Sequence, residues 1–344
     1  MKKTNNSRRR NRMFLMDCTL RDGANVIGKG FDERLTVMML EGLIKNNIKI
    51  IEMGNCLGLG AYEANNSISP LNDKEYLRLI RPYLSQAEIG MFIGVKNACE
   101  AYLSQGAAAG LHFLRIGANA GDGAQAEAEI RLVKKYGMKC RYSMMKGYLL
   151  SAGELAGEAA LLESFGVDEI TVMDSAGTMM PSEVEEYVAA MVKKVHIPVG
   201  FHGHNNLGLS VANALAAAKA GAEVLDCGLM GMARSSGNCA TELAVAVFQK
   251  LGCLNEIDLI GLLHFIDREL APAMAAYGYK APVLPIDLVY GFAGCHSSFE
   301  KLFEDTAREK GVDLYSLIIK ASKLDRKAPS KELIESVADQ IKLI

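Results

Sequence analysis

Residues 13–23 read Met-Phe-Leu-Met-Asp-Cys-Thr-Leu-Arg-Asp-Gly. A short apolar run ends in Asp17-Cys18-Thr19, and an Arg–Asp pair and a glycine follow at once. This reads as a buried strand with its polar residues at the C-terminal end. The pattern recurs, giving strand candidates at 13–19, 48–54, 88–95, 111–117, 138–144, 168–174, 198–204 and 223–229. Their starts lie about 23 to 40 residues apart, the length of one strand, one helix and two loops. The segments between them are helical in pattern. Glu33 to Asn46 repeats apolar residues at Leu35, Met38, Met39, Leu40 and Leu43. Pro181 to Val195 opens with acidic residues, which suit a helix N-terminus, and Leu209 to Ala220 ends at Gly221, a C-cap residue.

Eight strand–helix units form either a closed parallel barrel or a doubly wound open sheet. The polar residues choose between them. They gather at Arg21 and Asp22 after the first strand, Glu52 and Asn55 at the second, Asp174 and Ser175 at the sixth, His202 and His204 at the seventh, and Arg234 and Asn238 after the eighth. Groups at the C-terminal ends of nonadjacent strands converge only when the sheet closes. The expected fold is therefore an α/β TIM (β/α)8 barrel over 13–275, followed by a small C-terminal helical domain over 276–344. After residue 250 the strand rhythm stops and 256–271 read as a helix that Pro272 should end or kink. Ala281-Pro-Val-Leu-Pro285 is a firmer break, and helices are expected at Ser297–Lys310, Asp313–Ser322 and Ser330–Ile341.

Half of the 344 residues are hydrophobic and 23% are charged, which argues against disorder and supplies a large core. Lys and Arg total 38 against 40 Asp and Glu, so no net positive field exists to hold nucleic acid or an anionic membrane. No apolar run reaches about 18 residues, so no membrane span is expected. Residues 1–12, MKKTNNSRRRNR, carry six basic residues with no apolar stretch behind them, and read as a flexible solvated arm. Eight cysteines without a Cys-x-x-Cys pair fit reduced thiols in a cytoplasmic enzyme.

Four stretches carry chemistry. Arg21 offers a planar fork for a carboxylate, Asp22 a hard oxygen for a divalent cation, and Gly23 a sharp turn, although a plain surface Arg–Asp pair has the same sequence. His202 and His204, two residues apart on a strand, face the same way and can ligate one metal. Asn205 and Asn206 can orient the imidazoles or hold water on the metal, and Asn238 can reach the metal's surroundings. One carboxylate and two imidazoles with open positions suit Mn²⁺, Mg²⁺, Co²⁺ or Fe²⁺ better than closed tetrahedral zinc. In Gly231-Met-Ala-Arg-Ser-Ser-Gly-Asn238 the small residues permit close backbone approach to a ligand. In Met173-Asp-Ser-Ala-Gly177, Ser175 can hold a substrate oxygen. His112, His196 and His264 read as structural, while His296 sits past the proline break where the chain can return to the barrel mouth.

Taken together, Thr19-Leu-Arg-Asp-Gly23, Met173-Asp-Ser-Ala-Gly177, His202-x-His-x-Asn-Leu207, Gly231-Met-x4-Gly-Asn238 and Tyr290-Gly-Phe-Ala-Gly-x-x-Ser-Ser-Phe299 resemble the 4-hydroxy-2-oxovalerate aldolase family of metal-dependent lyase barrels. The resemblance runs through residues 13–340. It implies cleavage of a 4-hydroxy-2-oxo acid into pyruvate and an aldehyde, as in aromatic hydrocarbon catabolism. It implies Asp22, His202 and His204 as ligands of a divalent metal, Mn²⁺ first with Mg²⁺ or Co²⁺ as alternatives. Arg21 would hold the enolate oxygen, and Ser175 and His202 would contact the 2-oxo acid. The C-terminal helices resemble a region that docks an acylating aldehyde dehydrogenase, which implies a homo- or hetero-oligomer. Two positions depart from the family pattern. The family's catalytic histidine is Asn25 here, and its tyrosine in the last motif is His296. An amide cannot take a hydroxyl proton at neutral pH and an imidazole can. His296 is therefore the candidate base. The alternatives are a related carbon–carbon lyase or condensing enzyme with a changed substrate, and a non-catalytic regulatory homologue.

Overall fold

Eight short strands, each followed by helix, close on themselves in chain order. They are β1 (Phe14–Asp17), β2 (Ile50–Met53), β3 (Glu88–Gly94), β4 (Phe113–Asn119), β5 (Lys139–Met145), β6 (Glu169–Asp174), β7 (Val199–Gly203) and β8 (Val224–Cys227). Every neighbouring pair is parallel, and β8 pairs back onto β1, completing a TIM barrel. The computed structural model describes residues 13–64, 69–282, 284–295, 299–325 and 328–341. The basic arm at 1–12 and His296 lie outside the described residues.

All eight strands fall where the apolar runs predict them. The helices follow their capping chemistry. Asp32 Oδ1 accepts the Leu35 N–H at 2.8 Å to start Glu33–Lys45, and Gly221 closes Ser210–Ala220 in the left-handed conformation. The main core lies between the sheet and the helices, where Ile51, Ile89, Leu114 and Ile116 pack against Leu35, Leu40, Leu103 and Ile130. Each such side chain contributes about 1.5–3 kcal/mol when fully buried.

The barrel interior is different. Its apolar content is a small cluster of Met16, Cys18, Phe113 and Val224. The remaining space holds buried charge. Arg115 from β4 reaches Glu52 on β2, Ser143 on β5 and Asp226 on β8. This cation and its carboxylates form the floor under the site.

Beyond the barrel, Pro272 does not end the helix. Leu259–Phe265 passes through a π-turn at Ile266–Leu270 into Ala271–Ala275. The wider turn accommodates the proline ring and its missing donor. Pro285 opens a helix, Pro285–Ala293, that the sequence reading did not name, because a proline that breaks one element can begin the next. Helices Glu300–Lys310, Leu314–Leu324 and Lys331–Ala338 follow. His264 pairs with Asp313 and stacks on Tyr315 at 4.6 Å, and the Tyr315 hydroxyl donates to Asp267 at 3.1 Å, tying these helices to the 259–275 segment. Among the described residues, no helix is long and apolar enough to cross a membrane.

Candidate active site

The site forms where β1 and β7 end. After Asp17 the chain turns tightly, and the Asp22 N–H bonds back to the Cys18 carbonyl at 2.8 Å. Asp17 anchors the turn by accepting the Thr19 N–H at 2.9 Å and the Thr241 hydroxyl at 2.6 Å. Gly23 serves close approach rather than a special backbone angle. A Cβ there would lie 3.1 Å from Thr19 Cγ2 and 3.3 Å from the Met232 carbonyl oxygen.

Two imidazoles face Asp22 from β7 and its exit. His202 Nε2 is 3.5 Å and His204 Nε2 is 4.0 Å from Asp22 Oδ2, and all three residues are shielded from solvent. Their ligand atoms fall within 4.8 Å of one another. The two rings are 5.2 Å apart and tilted by 59°, so they converge without stacking.

The electrostatics favour a cation here. Burial opposes ionisation of Asp22, but Arg21 and the two imidazoles hold its carboxyl well below the usual carboxylate range. Burial, then the neighbouring His202, pushes His204 down to about 4, which leaves it neutral and able to donate a lone pair at neutral pH. Burial disfavours the imidazolium of His202, but the Asp22 and Asp226 carboxylates outweigh it and raise its pKa.

Three residues hidden in the strands hold these groups in place. His202 Nδ1 is 3.1 Å from Asp226 Oδ2, which fixes that N–H inward and turns Nε2 toward Asp22. Arg115 takes the same Asp226 oxygen. Glu52 accepts from Arg21 Nε at 2.6 Å and from Arg115 at 3.3 Å, and Arg21 Nη1 lies 3.1 Å from Asp22. The sequence reading noted Glu52 but missed Arg115 and Asp226. Their signal is a charge inside an otherwise apolar strand, in LHFLRIG (111–117) and EVLDCGL (223–229), where a buried ion requires a partner.

The remaining candidates are distributed as follows. Asn238 donates to Asp22 Oδ2 at 2.8 Å and so belongs to the cluster. Asn25 donates to the Asp22 carbonyl at 2.9 Å and to Oδ1 at 3.3 Å. Ser175 follows β6 directly, and its hydroxyl accepts the Lys146 N–H at 2.9 Å. Asn206 is exposed, and its amide donates to Ser235 Oγ at 2.7 Å instead of to an imidazole.

Four polar groups meet here and three of their atoms have no hydrogen-bond partner although buried: Arg21 Nη2, His202 Nε2 and Asn238 Oδ1. An orphaned buried group costs about 1–3 kcal/mol, so three around one carboxylate mark a place built for a ligand. One carboxylate oxygen and two imidazole nitrogens fit a divalent cation, whose binding would displace any proton on His202 Nε2. Cys18, His202 and Asp226 also cluster, but there Asp226 is already shared by His202 and Arg115.

Comparison with known proteins agrees with this geometry. The HMGL-like family model matches residues 120–267. The chain is 30% identical to the 4-hydroxy-2-oxovalerate aldolase of Geobacillus genomosp. 3, over 95% of this chain and 96% of that one. It is 30% identical to the enzyme of that name from Serratia proteamaculans, over 96% of this chain and 98% of that one. Among solved structures, the Bacillus subtilis HMG-CoA lyase superposes with a TM-score of 0.65 at 16% identity, covering 79% of this chain and 96% of that one. The carboxyl transferase domain of Rhizobium etli pyruvate carboxylase gives 0.67 at 16%, covering 97% of this chain and 62% of that one. At such identities these two establish the fold alone.

Proposed function

The chain belongs to the 4-hydroxy-2-oxovalerate aldolase family of carbon–carbon lyases, and on that premise we propose that it is a divalent-metal-dependent aldolase that splits a 4-hydroxy-2-oxo acid into pyruvate and an aldehyde. The observation that carries this reading is the gathering of Arg21, His202 and Asn238 around Asp22, each with one further buried polar atom left without a partner. Asp22, His202 and His204 would hold the cation, Mn²⁺ first, with Mg²⁺ and Co²⁺ as alternatives. When bound, the cation supplies a Lewis acid for the keto and carboxylate oxygens of the 2-oxo acid.

The chain's own groups do the rest. Arg21 is braced by Glu52 and Asp22, which leaves Nη2 as the donor for the C2 oxygen as negative charge gathers there. Ser175 accepts the Lys146 N–H, so its own hydroxyl proton remains for the pyruvate carboxylate. Asn25 uses its amide to hold Asp22 and takes no proton, and we assign the 4-hydroxyl proton to His296. The Asn25 geometry also favours a second reading, a homologue that keeps the ligand cluster but binds without turnover. We further propose a domain boundary near residue 275, with 276–344 as the docking region for an acylating aldehyde dehydrogenase and the assembly in the cytoplasm.

The test is pyruvate release from 4-hydroxy-2-oxopentanoate, read by NADH consumption through lactate dehydrogenase, with Mn²⁺, Mg²⁺ or Co²⁺ against a chelated control. Metal-dependent release is expected, and His296→Ala should abolish it while leaving metal affinity near wild type. Absence of release with every metal would overturn the aldolase reading in favour of the binding homologue.

A further inference from the structure

The loop after β8 is fastened to the exit of β7 along its length. Asn238 pairs with His204 through the backbone and bonds Asp22 through its side chain. The Gly237 carbonyl accepts the Asn205 N–H at 2.7 Å, and Ser235 Oγ accepts the Asn206 amide at 2.7 Å. The Asn238 N–H closes the loop onto the Gly231 carbonyl at 3.0 Å. These bonds hold the loop as one wall of the mouth.

Arg234 stands on that wall. It is exposed, and among the described residues its guanidinium has no ion pair and no hydrogen bond. Its neighbours Ser235 and Gly237 are bonded to Asn206 and Asn205, directly after His204 at the β7 exit, so its place on the loop is beside the ligand cluster. Tyr62 is committed, with its hydroxyl 3.1 Å from Cys56 Sγ. Lys29, on the loop after β1, is engaged over the Tyr62 ring at 5.7 Å. Arg234 is thus an uncommitted cation, next to small residues Ser235, Ser236 and Gly237 that leave room around it. The loops after the seventh and eighth strands of such barrels are a recurrent place for anions.

We propose that Arg234 is a specificity residue that binds an anionic group, a carboxylate or a phosphate, on the end of the substrate that leaves as the aldehyde. The proposal rests on the aldolase reading above and names its substrate class as 4-hydroxy-2-oxo acids charged at both ends. The Asp22, His202 and His204 cluster takes the 2-oxo acid end. The planar guanidinium takes the far anion with two parallel donors. A methyl-ended substrate leaves that fork facing water. With a distal carboxylate the reaction balances without a co-reactant. The C3–C4 bond breaks and its electron pair stays on C3 of the pyruvate enolate, which then gains a proton. The 4-hydroxyl loses its proton and becomes the carbonyl of glyoxylate.

The test compares unreactive ligands that lack the 4-hydroxyl. Calorimetry on the Mn²⁺-loaded full chain measures 2-oxoglutarate, 2-oxo-4-phosphonobutanoate and the uncharged-ended 2-oxopentanoate. At least tenfold tighter binding of a charged-ended ligand over 2-oxopentanoate is expected, and the tighter of the two charged ligands identifies carboxylate or phosphate. Arg234→Gln should reduce that ratio to within twofold, and Arg234→Lys should restore part of it. In turnover, the kcat/KM ratio of 4-hydroxy-2-oxoglutarate to 4-hydroxy-2-oxopentanoate should move the same way. A wild-type ratio near one, or an equal loss of both ligands in Arg234→Gln, overturns the proposal while leaving the aldolase reading intact. Failure of all three 2-oxo acids to bind the wild type overturns both.

Discussion

Replacing Asp226 by Asn removes one charge from the floor of the site and almost nothing else. Both contacts of this carboxylate, to His202 Nδ1 and to Arg115, use the same oxygen, Oδ2. Its other oxygen, Oδ1, is buried without a partner. An Asn with its carbonyl in the Oδ2 place therefore keeps both hydrogen bonds and puts its NH2 where no partner is lost. The isolated effect is electrostatic. The His202 ring loses the carboxylate that raises its basicity, and a cation below Asp22 loses one compensating charge. Outer carboxylates of this kind are worth about 10–100-fold in metal affinity, which is about 1.4–2.8 kcal/mol. Arg115 keeps Glu52, but Glu52 also serves Arg21, so some stability is lost, below the ~3–5 kcal/mol of a fully broken buried pair. Calorimetric titration of Mn²⁺ into chelator-stripped protein should show a 10–100-fold weaker Kd for Asp226→Asn, with a modest drop in Tm. A Kd within twofold of wild type would refute the argument that Asp226 acts on the site through His202.

Three further outcomes are expected. His204→Ala should no longer bind Mn²⁺ stoichiometrically by elemental analysis, and retained one-to-one metal would remove His204 from the ligand set. Burial pushes Glu242 up to about 7 from an ordinary 4.5, so the folded chain holds a proton there that the unfolded chain has lost. Its contribution is present below about pH 4.5 and is lost as pH rises through about 7, a change of about 3 kcal/mol. Glu242→Gln keeps the Met230 N–H acceptor, so urea melts should show it matching wild type at pH 4.5 and exceeding it at pH 8; a pH-independent difference would contradict this. Gly23→Ala puts a methyl 3.1 Å from Thr19 Cγ2 and 3.3 Å from the Met232 carbonyl, which should cost about 1–3 kcal/mol and weaken metal binding by shifting Asp22, whereas an unchanged Tm would mean the loop yields freely.

The strands, the barrel and the pairing of His202 with His204 were legible from residue order because each is a local pattern. Apolar runs of strand length mark the eight strands. Polar residues held to the ends of nonadjacent runs mark closure, and the i, i+2 spacing puts His202 and His204 on one face. The partners of the buried charges were not legible. Arg115, Glu52 and Asp226 stand out in sequence as charges within apolar strands, but their pairing spans up to 111 positions. Barrel closure sets it, by putting Asp226 beside His202 on one side and Met16 on the other. Side-chain direction in loops was also a tertiary matter. Asn206 turns to Ser235 and Asn25 to Asp22 because the loops after β7, β8 and β1 meet there, and no spacing within one loop encodes what another brings to it. Residue order alone places Arg21, Asp22, His202 and His204 at strand ends around one mouth. The closed sheet decided which nitrogen of His202 faces Asp22 and which donor of Arg21 stays free, because each depends on contacts between strands and loops far apart in the chain.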